Sequence, residues 1–482
     1  MAERDTTEQP TPEPIAREGI GWSRVLVHLV FGLLVLAALF MTVHNRRVDT
    51  VHFDERWSGI FPDRWGRLAD LWVEEGYWRH GGLWRLDRDE WFQQGVADGG
   101  ANQWFDPATY EPDAPHYYRS NSALFVLPIA AAKAIGRLLG ADGEQRLVVV
   151  LTSQIVVMVG AALVGLLAGR LALLAGADSR ASLVLGLSAQ LVFQTNPLNL
   201  AAYWDLCPQH VFVAPLCLFL IGLTDPEPRR SSVLRVVGVA GMTAVDVPHA
   251  AIALGSWAVA SWLLRSEELR GRRLAATVLP AVAVVAVVAL QFLVAKWMHP
   301  EARFLGSGIL SRTGLDGDVA SQSGVLDGFV RLIRGPVLYG GGRAGTDPLF
   351  WSTALAVPFV ALILAAVRPR LRPTALPIAV ALGTFGGFVL VFSNAFAIHP
   401  YVYPVLLLVA SIPAVFGVLF GALEGGIGRP RIFALIAIAI AITSSLAALR
   451  AFAVHFPVGA GERLMAPRAA LERSPIGVAL VD

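Results

Sequence analysis

Four stretches of this chain set proton-accepting or phosphate-holding groups beside helix starts. The first is Pro62-Asp63-Arg64-Trp65-Gly66-Arg67-Leu68-Ala69-Asp70-Leu71-Trp72-Val73-Glu74-Glu75-Gly76. Leu68, Leu71 and Trp72 recur at helical spacing and predict a short helix over Arg64–Glu75, with Gly76 as its stop. Asp63 then sits at the helix start, where a carboxylate suits a general base acting on a hydroxyl near a membrane surface; the same position is that of a helix N-cap. Asp54, beside Glu55, is a second candidate base. The second stretch, His116-Tyr117-Tyr118-Arg119-Ser120-Asn121-Ser122, leads into an apolar segment. Arg119, with Tyr118 beside it, is placed to hold a lipid phosphate, or to snorkel to headgroups. In the third, Asn196-Pro197 through Asp205 to His210, two ionisable groups stand at the entry to a membrane-length helix; Tyr203 and Trp204 also fit a plain aromatic belt. The fourth is Val245-Asp246-Val247-Pro248-His249. Its proline suits a tight turn, and the acid–imidazole pair suits a polar pocket. Carboxylates favour magnesium, calcium or manganese, but no metal-ligand spacing accompanies them, so no cofactor is expected and a divalent metal is the secondary reading. The sequence has no P-loop, no dinucleotide fingerprint and no Ser/His/Asp ordering.

The elements that must position these groups are membrane helices. Of the 482 residues, 55% are hydrophobic and 16% charged, where soluble domains carry about 25% charged residues. Apolar runs, most of them near the length that a bilayer core of roughly 30 Å needs and several shorter, recur at Trp22–Val43, Leu147–Gly169, Ser182–Gln194, Pro208–Thr224, Ser232–Val245, Val247–Leu264, Leu274–Trp297, Phe350–Val367, Thr374–Val391, Pro400–Leu423 and Ile432–Leu449. The expected class is therefore an all-α polytopic membrane protein with about eleven transmembrane helices. A net charge of +2 gives no bulk attraction for nucleic acid. Cys207 and Cys217 lie on one apparent helix, about 15 Å apart, too far to pair. The polar start, residues 1–21, lacks a basic region and a cleavage site, so the first run reads as a retained helix.

Arginine placement orients the helices. The short loops Arg170–Arg180, Asp225–Arg230, Arg265–Arg273, Arg368–Arg372 and Glu424–Arg431 each carry at least two arginines, which puts them and the N-terminal tail in the cytoplasm. Residues 22–449 then form the membrane domain, with external loops 44–146 and 298–349 and an external tail 450–482. Ser122–Leu139, interrupted by Pro128, Lys133 and Arg137, reads as an amphipathic interfacial helix rather than a span. With that choice every unusual polar apex falls on one side. The large first loop carries Trp57, Trp65, Trp72, Trp78, Trp84, Trp91 and Trp104, which suit interface anchors or sugar stacking. The second is glycine-rich around Arg343 and suits closure over a ligand.

The order of these features resembles the GT-C family of polyprenyl-phosphate-sugar-dependent glycosyltransferases, and looks closest to its bacterial aminoarabinose and protein mannosyl branch. The resemblance rests on Asp63 through Gly76 after the first span, Tyr117-Tyr118-Arg119-Ser120-Asn121-Ser122-Ala123-Leu124 leading into the amphipathic helix, the Asn196-Pro197 to His210 apex, and the small-residue helix Gly238-Val239-Ala240-Gly241-Met242-Thr243-Ala244. It covers residues 22–265 well and the rest loosely. The chain departs from the family at Arg64, where glutamate is common, at Ser120-Asn121-Ser122, where a proline pair stands, and at Asp246-Val247-Pro248-His249, where the family has arginine-proline. The resemblance implies a multi-pass protein of the bacterial plasma membrane with juxtamembrane helices in the first external loop. It would move a sugar from a polyprenyl-phosphate donor to a hydroxyl of a glycan, lipid or protein. Asp63 or Asp54 would be the base, Arg119 and Arg343 would hold phosphate, and Tyr118, Asp205, His210, Asp246 and His249 would line the pocket. A transporter or flippase of lipid-linked sugars accounts for the spans equally well, but not for the carboxylate- and tryptophan-rich loop; nor are two similar halves visible. A non-catalytic assembly subunit is the third reading.

Overall fold

The computed structural model describes residues 21–44, 66, 68–80, 82–83, 114–118, 123–138, 145–202, 208–305, 325–334, 348–392, 404–427 and 430–455. The fold is that of an all-α polytopic membrane protein. Its long helices are α1 (Trp22–His44), α3 (Gln145–Ala175), α4 (Ser179–Thr195), α6 (Pro208–Thr224), α7 (Pro228–Val245), α8 (Val247–Leu263), α9 (Gly271–Met298), α11 (Pro348–Val367), α12 (Arg372–Val391) and α15 (Pro430–His455). An eleventh runs through α13 (Pro404–Pro413), a π-helical stretch Ala414–Leu419 and α14 (Phe420–Ile427). Among the described residues, seven segments are long and apolar enough to cross a membrane. Those on α3 and α13–α14 are 78% buried and form the centre; those on α1, α9, α11 and α15 show most of their apolar surface outward. The short helices α4, α6, α7 and α8 lie between the long ones and measure about 26 Å at 1.5 Å per residue.

Inside a bilayer, close packing replaces the hydrophobic effect as the force between helices, so small residues mark the contacts. A Cβ on Gly417, Gly421 or Gly425 of α13–α14 would meet Ala168 O or Ala172 Cα of α3 or Gly176 O just past its end, each at 2.7 Å. A Cβ on Gly165 of α3 would meet Gly186 O of α4 at 2.8 Å. Gly238 and Gly241 of α7 sit against the helix-breaking Pro215 of α6 in the same way, at 2.8 and 2.7 Å. Polar side chains fasten α1 to α4. His28 Nδ1 donates to Gln190 Oε1 (2.7 Å), and Gln190 and Gln194 donate to the carbonyls of His28 and Gly32 (both 2.9 Å).

Five connections gather on one face through arginine. Arg24 donates to Ser179 and Ser182 at the start of α4, Arg170 to Thr224 O, and Arg370 to Gly176 O and Gly425 O, both at 3.4 Å. Buried Arg235 pairs with Glu268, which also takes Arg273. Gly176, with φ +104°, makes the turn from α3 to α4, and Asp178 caps α4 by accepting from Ala181 N. The arginine-rich loops singled out in the sequence thus lie together.

The opposite face carries the short elements. Residues 66 and 68–71 are helical and continue into the π turn Trp72–Gly76 and the 3-10 turn Tyr77–His80. A 3-10 turn, Ala123–Val126, leads into α2 (Leu127–Leu138). These are the two juxtamembrane helices expected over 64–75 and 122–139. Gly76 takes φ +89° where the helical stop was expected. The α5 turn (Pro197–Ala202) follows α4. Strands β1 (His116–Tyr118) and β2 (Arg303–Leu305) pair in parallel, Tyr118 opposite Leu305, and so join the segment between α1 and α2 to the end of α9. The amphipathic α10 (Val325–Ile333) packs on α11 and α12.

Candidate functional site

The fourth stretch, between α7 and α8, is built around one aspartate. Asp246 stands between α7 and α8; its Oδ1 accepts from His249 N (3.2 Å) and so caps α8, while its Oδ2 lies 3.0 Å from His249 Nδ1. Pro248 in the first turn of α8 lacks an N–H that would need a partner. His249 Nε2 is 3.5 Å from Gln209 Nε2 on α6. The imidazole lies on Phe388 of α12, with centroids 3.6 Å apart, and has Phe212 of α6 at 5.5 Å. One residue pair therefore ties α6, α7, α8 and α12 at this face. Asp246 and His249 are almost wholly buried, at 1% and 2% exposure. Next to Gln209, buried His210 has neither ring nitrogen hydrogen-bonded among the described residues. The structure brings Asp246 and His249 together as a pair and sets His210 on the adjoining turn.

The corner between α4 and α6 is held by its own amides. Asn196 Oδ1 accepts from Leu198 N at 3.0 Å, and Asn199 Nδ2 donates to Phe193 O. Thr195 Oγ1 donates to Ser445 Oγ of α15 at 2.8 Å.

A third polar group joins the two juxtamembrane helices. Lys133 of α2 donates through Nζ to Asp70 Oδ2 (2.7 Å) and to Gly66 O (2.8 Å). One turn on, Arg137 donates to Glu74 Oε1 (2.8 Å) and reaches Asp70 Oδ1 (3.4 Å). Burial lowers the Lys133 pKa, against the pull of Asp70, which raises it. Farther along, Tyr77 stacks edge-on against Trp72 with centroids 4.9 Å apart, and its hydroxyl is hydrogen-bonded to buried Gln291 of α9. Burial raises the Tyr77 pKa, and the Gln291 contact opposes the rise.

Of the sequence-predicted site residues, Asp54, Asp63, Arg119, Asp205 and Arg343 lie outside the described residues, and Tyr118 is described only as backbone in β1. Sequence reasoning assigned no role to Gln209, Lys133 or Arg137. The last two were signalled: Lys133 and Arg137 are spaced i,i+4, as are Asp70 and Glu74, so one positive and one negative helical face were available to meet. Among the described residues no three His, Cys, Asp or Glu side chains are placed to hold a metal ion.

No protein-family model matches the chain, and no curated protein matches it. Among solved structures it is similar to ArnT from Cupriavidus metallidurans in the apo state, with a TM-score of 0.52 at 14% identity, over 91% of this chain and 78% of that one. At that identity the likeness is one of fold alone.

Proposed function

We propose that the chain is a membrane glycosyltransferase that takes a sugar from a polyprenyl-phosphate-linked donor and passes it to an acceptor hydroxyl at the face opposite the arginine loops. The observation that carries this reading is the fold likeness to ArnT over nine-tenths of the chain. The two juxtamembrane helices clamped together just after α1 support it. A lipid-linked donor lies in the bilayer, so its reacting carbon meets protein where membrane helices end. In this reading Asp63 takes the proton from the acceptor hydroxyl as the bond to the anomeric carbon forms, with Asp54 as the alternative base. The polyprenyl phosphate leaves with both bonding electrons, and Arg119 with Arg343 stabilises its growing charge. Tyr118, Asp205, His210, Asp246 and His249 shape the pocket for sugar or acceptor, with the Asp246–His249 pair setting its floor. Such a transfer can run without metal or nucleotide. The proposed setting is the bacterial inner membrane, N-terminus inside and site outside.

The test is transfer in proteoliposomes supplied with a panel of polyprenyl-phosphate sugars and an envelope acceptor extract, read as labelled sugar leaving the lipid fraction. Asp63→Asn is expected to lower turnover by about 100-fold or more, the scale of a lost general base. Full activity in that variant would remove Asp63 from the role, and donor crossing the bilayer without covalent product would replace the reading by transport.

A further inference from the structure

The Lys133–Asp70 pair does something that the packing around it does not. Leu68, Ala69 and Trp72 on one juxtamembrane helix and Phe125, Val126, Ile129 and Ala130 on the other are buried in the same apolar core. That contact holds the helices together but is non-directional. Lys133 is one of only two lysines in the chain. On an amphipathic interfacial helix a lysine ordinarily snorkels to water, yet this one turns inward and is 5% exposed. A buried ion pair is often no more stabilising than well-packed apolar residues of similar volume. What it adds is geometry: one ammonium nitrogen meets a carboxylate oxygen at 2.7 Å and a backbone carbonyl at 2.8 Å. The carbonyl belongs to Gly66, three residues after Asp63 in sequence; Lys133 follows Arg119 by fourteen. The Tyr77–Gln291 hydrogen bond holds the far end of the same juxtamembrane helix to α9. Leu127, Ile135 and Leu138 of α2 are exposed, so the helix that receives the ion pair also presents apolar surface to the bilayer.

We infer that Asp70 and Lys133 are positioning residues for the transfer reaction, their buried ion pair setting the register of the juxtamembrane helix that follows Asp63 against the amphipathic helix that follows Arg119. The inference rests on the transferase reading above. It assigns neither residue contact with substrate. A misplacement of about 1 Å can cost about 100-fold in rate with the reacting groups themselves intact.

Removing Asp70 alone would strand the buried Lys133 ammonium, and removing Lys133 alone would leave Asp70 only the longer 3.4 Å contact to Arg137, so the informative variant is the neutral pair Asp70→Asn with Lys133→Met. Full-length protein in nanodiscs is compared with this double variant, with Lys133→Arg and with Arg79→Gln, which removes an exposed i,i+4 contact on the same helix. Three readouts are taken: thermal midpoint, hydrogen exchange of the peptides over residues 66–80, and kcat and KM with the polyprenyl-phosphate sugar that wild type uses. The double variant is expected to keep its thermal midpoint and to exchange faster over 66–80. Its kcat should fall about 10- to 100-fold, with KM for the donor changed less than about twofold, as expected when binding is untouched. Lys133→Arg, which keeps a donor for both oxygens, restores kcat to within about threefold, and Arg79→Gln behaves as wild type. A well-folded double variant with wild-type kcat overturns the inference and leaves the transferase reading standing. So does a loss of activity that only tracks the folded fraction. A wild type inactive with every donor overturns the transferase reading, and the inference with it.

Discussion

At the residue scale, the Asp246–His249 contact biases a tautomer. Asp246 Oδ2 lies 3.0 Å from His249 Nδ1, and His249 Nε2 lies 3.5 Å from Gln209 Nε2; an ionised carboxylate can only accept, so its approach favours the hydrogen on Nδ1, with Nε2 the acceptor toward Gln209. Asp246→Asn keeps an oxygen to cap α8 but turns an amide N–H₂ toward Nδ1. The tautomer is then expected to invert, which nitrogen-15 spectra of labelled histidine would report. Asp246→Ala removes the cap as well and is expected to cost about 1–3 kcal/mol in cap and stranded imidazole together. Tyr77 gives the pH dependence. Its folded pKa lies above the ordinary value of 10.0 because burial disfavours the phenolate. A raised pKa contributes stability that is fully present below the unfolded value and is lost as pH rises through the folded one. The juxtamembrane helix should therefore loosen only above pH 10, with a phenolate absorbance step that is missing in Tyr77→Phe. A Tyr77→Phe protein with the same alkaline step and the same alkaline loosening would remove Tyr77 as the cause.

At the element scale, the glycine stripe of α13–α14 against α3 separates steric necessity from composition. Gly421→Ala places a Cβ 2.7 Å from Ala172 Cα, a backbone atom that cannot step aside alone; overpacking of this kind costs about 1–3 kcal/mol. Gly426 has nothing within 4 Å of its would-be Cβ, so Gly426→Ala should be neutral or stabilising, since alanine is the better helix former by about 1 kcal/mol. Thermal midpoints of the two variants in detergent decide it, and equal shifts would mean that α3 and α14 are less close than the structure has them. The helices themselves were legible in the sequence, because each is a run of apolar residues bounded by proline, glycine or arginine. The amphipathic reading of Ser122–Leu139 was legible because Pro128, Lys133 and Arg137 interrupt it. The i,i+4 charges of Lys133 and Arg137 and of Asp70 and Glu74 marked two opposite-charged helix faces, but that these two faces meet was not legible, since Lys133 and Asp70 are 63 residues apart. The π-helical stretch after Pro413 and the pairing of β1 with β2 were equally hidden. Both depend on how distant segments pack, and three-residue strands carry no periodicity. In the candidate site, the Asp246–His249 pairing followed from a spacing of three across a helix start, whereas Gln209 became visible only when α6 was laid beside α8.

At the scale of the whole molecule, the arginine contacts decide which loops share a face, and the charge of those loops decides which side the face is on. Arg180, Arg229, Arg230, Arg265, Arg270, Arg272, Arg273, Arg368, Arg370 and Arg372 all fall in or beside the short connections that Arg24, Arg170, Arg235 and Arg370 fasten together. Short loops this rich in arginine stay on the cytoplasmic side. On that rule the orientation proposed above puts the ends of α1 and α9, the juxtamembrane helices and the Asp246–His249 pair outside. The expected outcome is specific to two exposed positions. After Cys207→Ala and Cys217→Ala, Glu227→Cys in the α6–α7 connection should resist a membrane-impermeant maleimide in intact cells and react once the membrane is opened. Glu301→Cys, just beyond α9, should react in intact cells. The helix α9 runs 28 residues between an arginine-rich start and the β2 strand, so its two ends cannot lie on one side of a bilayer core of roughly 30 Å. The reverse labelling pattern would turn the whole molecule over. It would put the juxtamembrane helices in the cytoplasm, where soluble nucleotide-activated donors would compete with lipid-linked ones, and the transferase reading would lose its reason for a polyprenyl-phosphate donor.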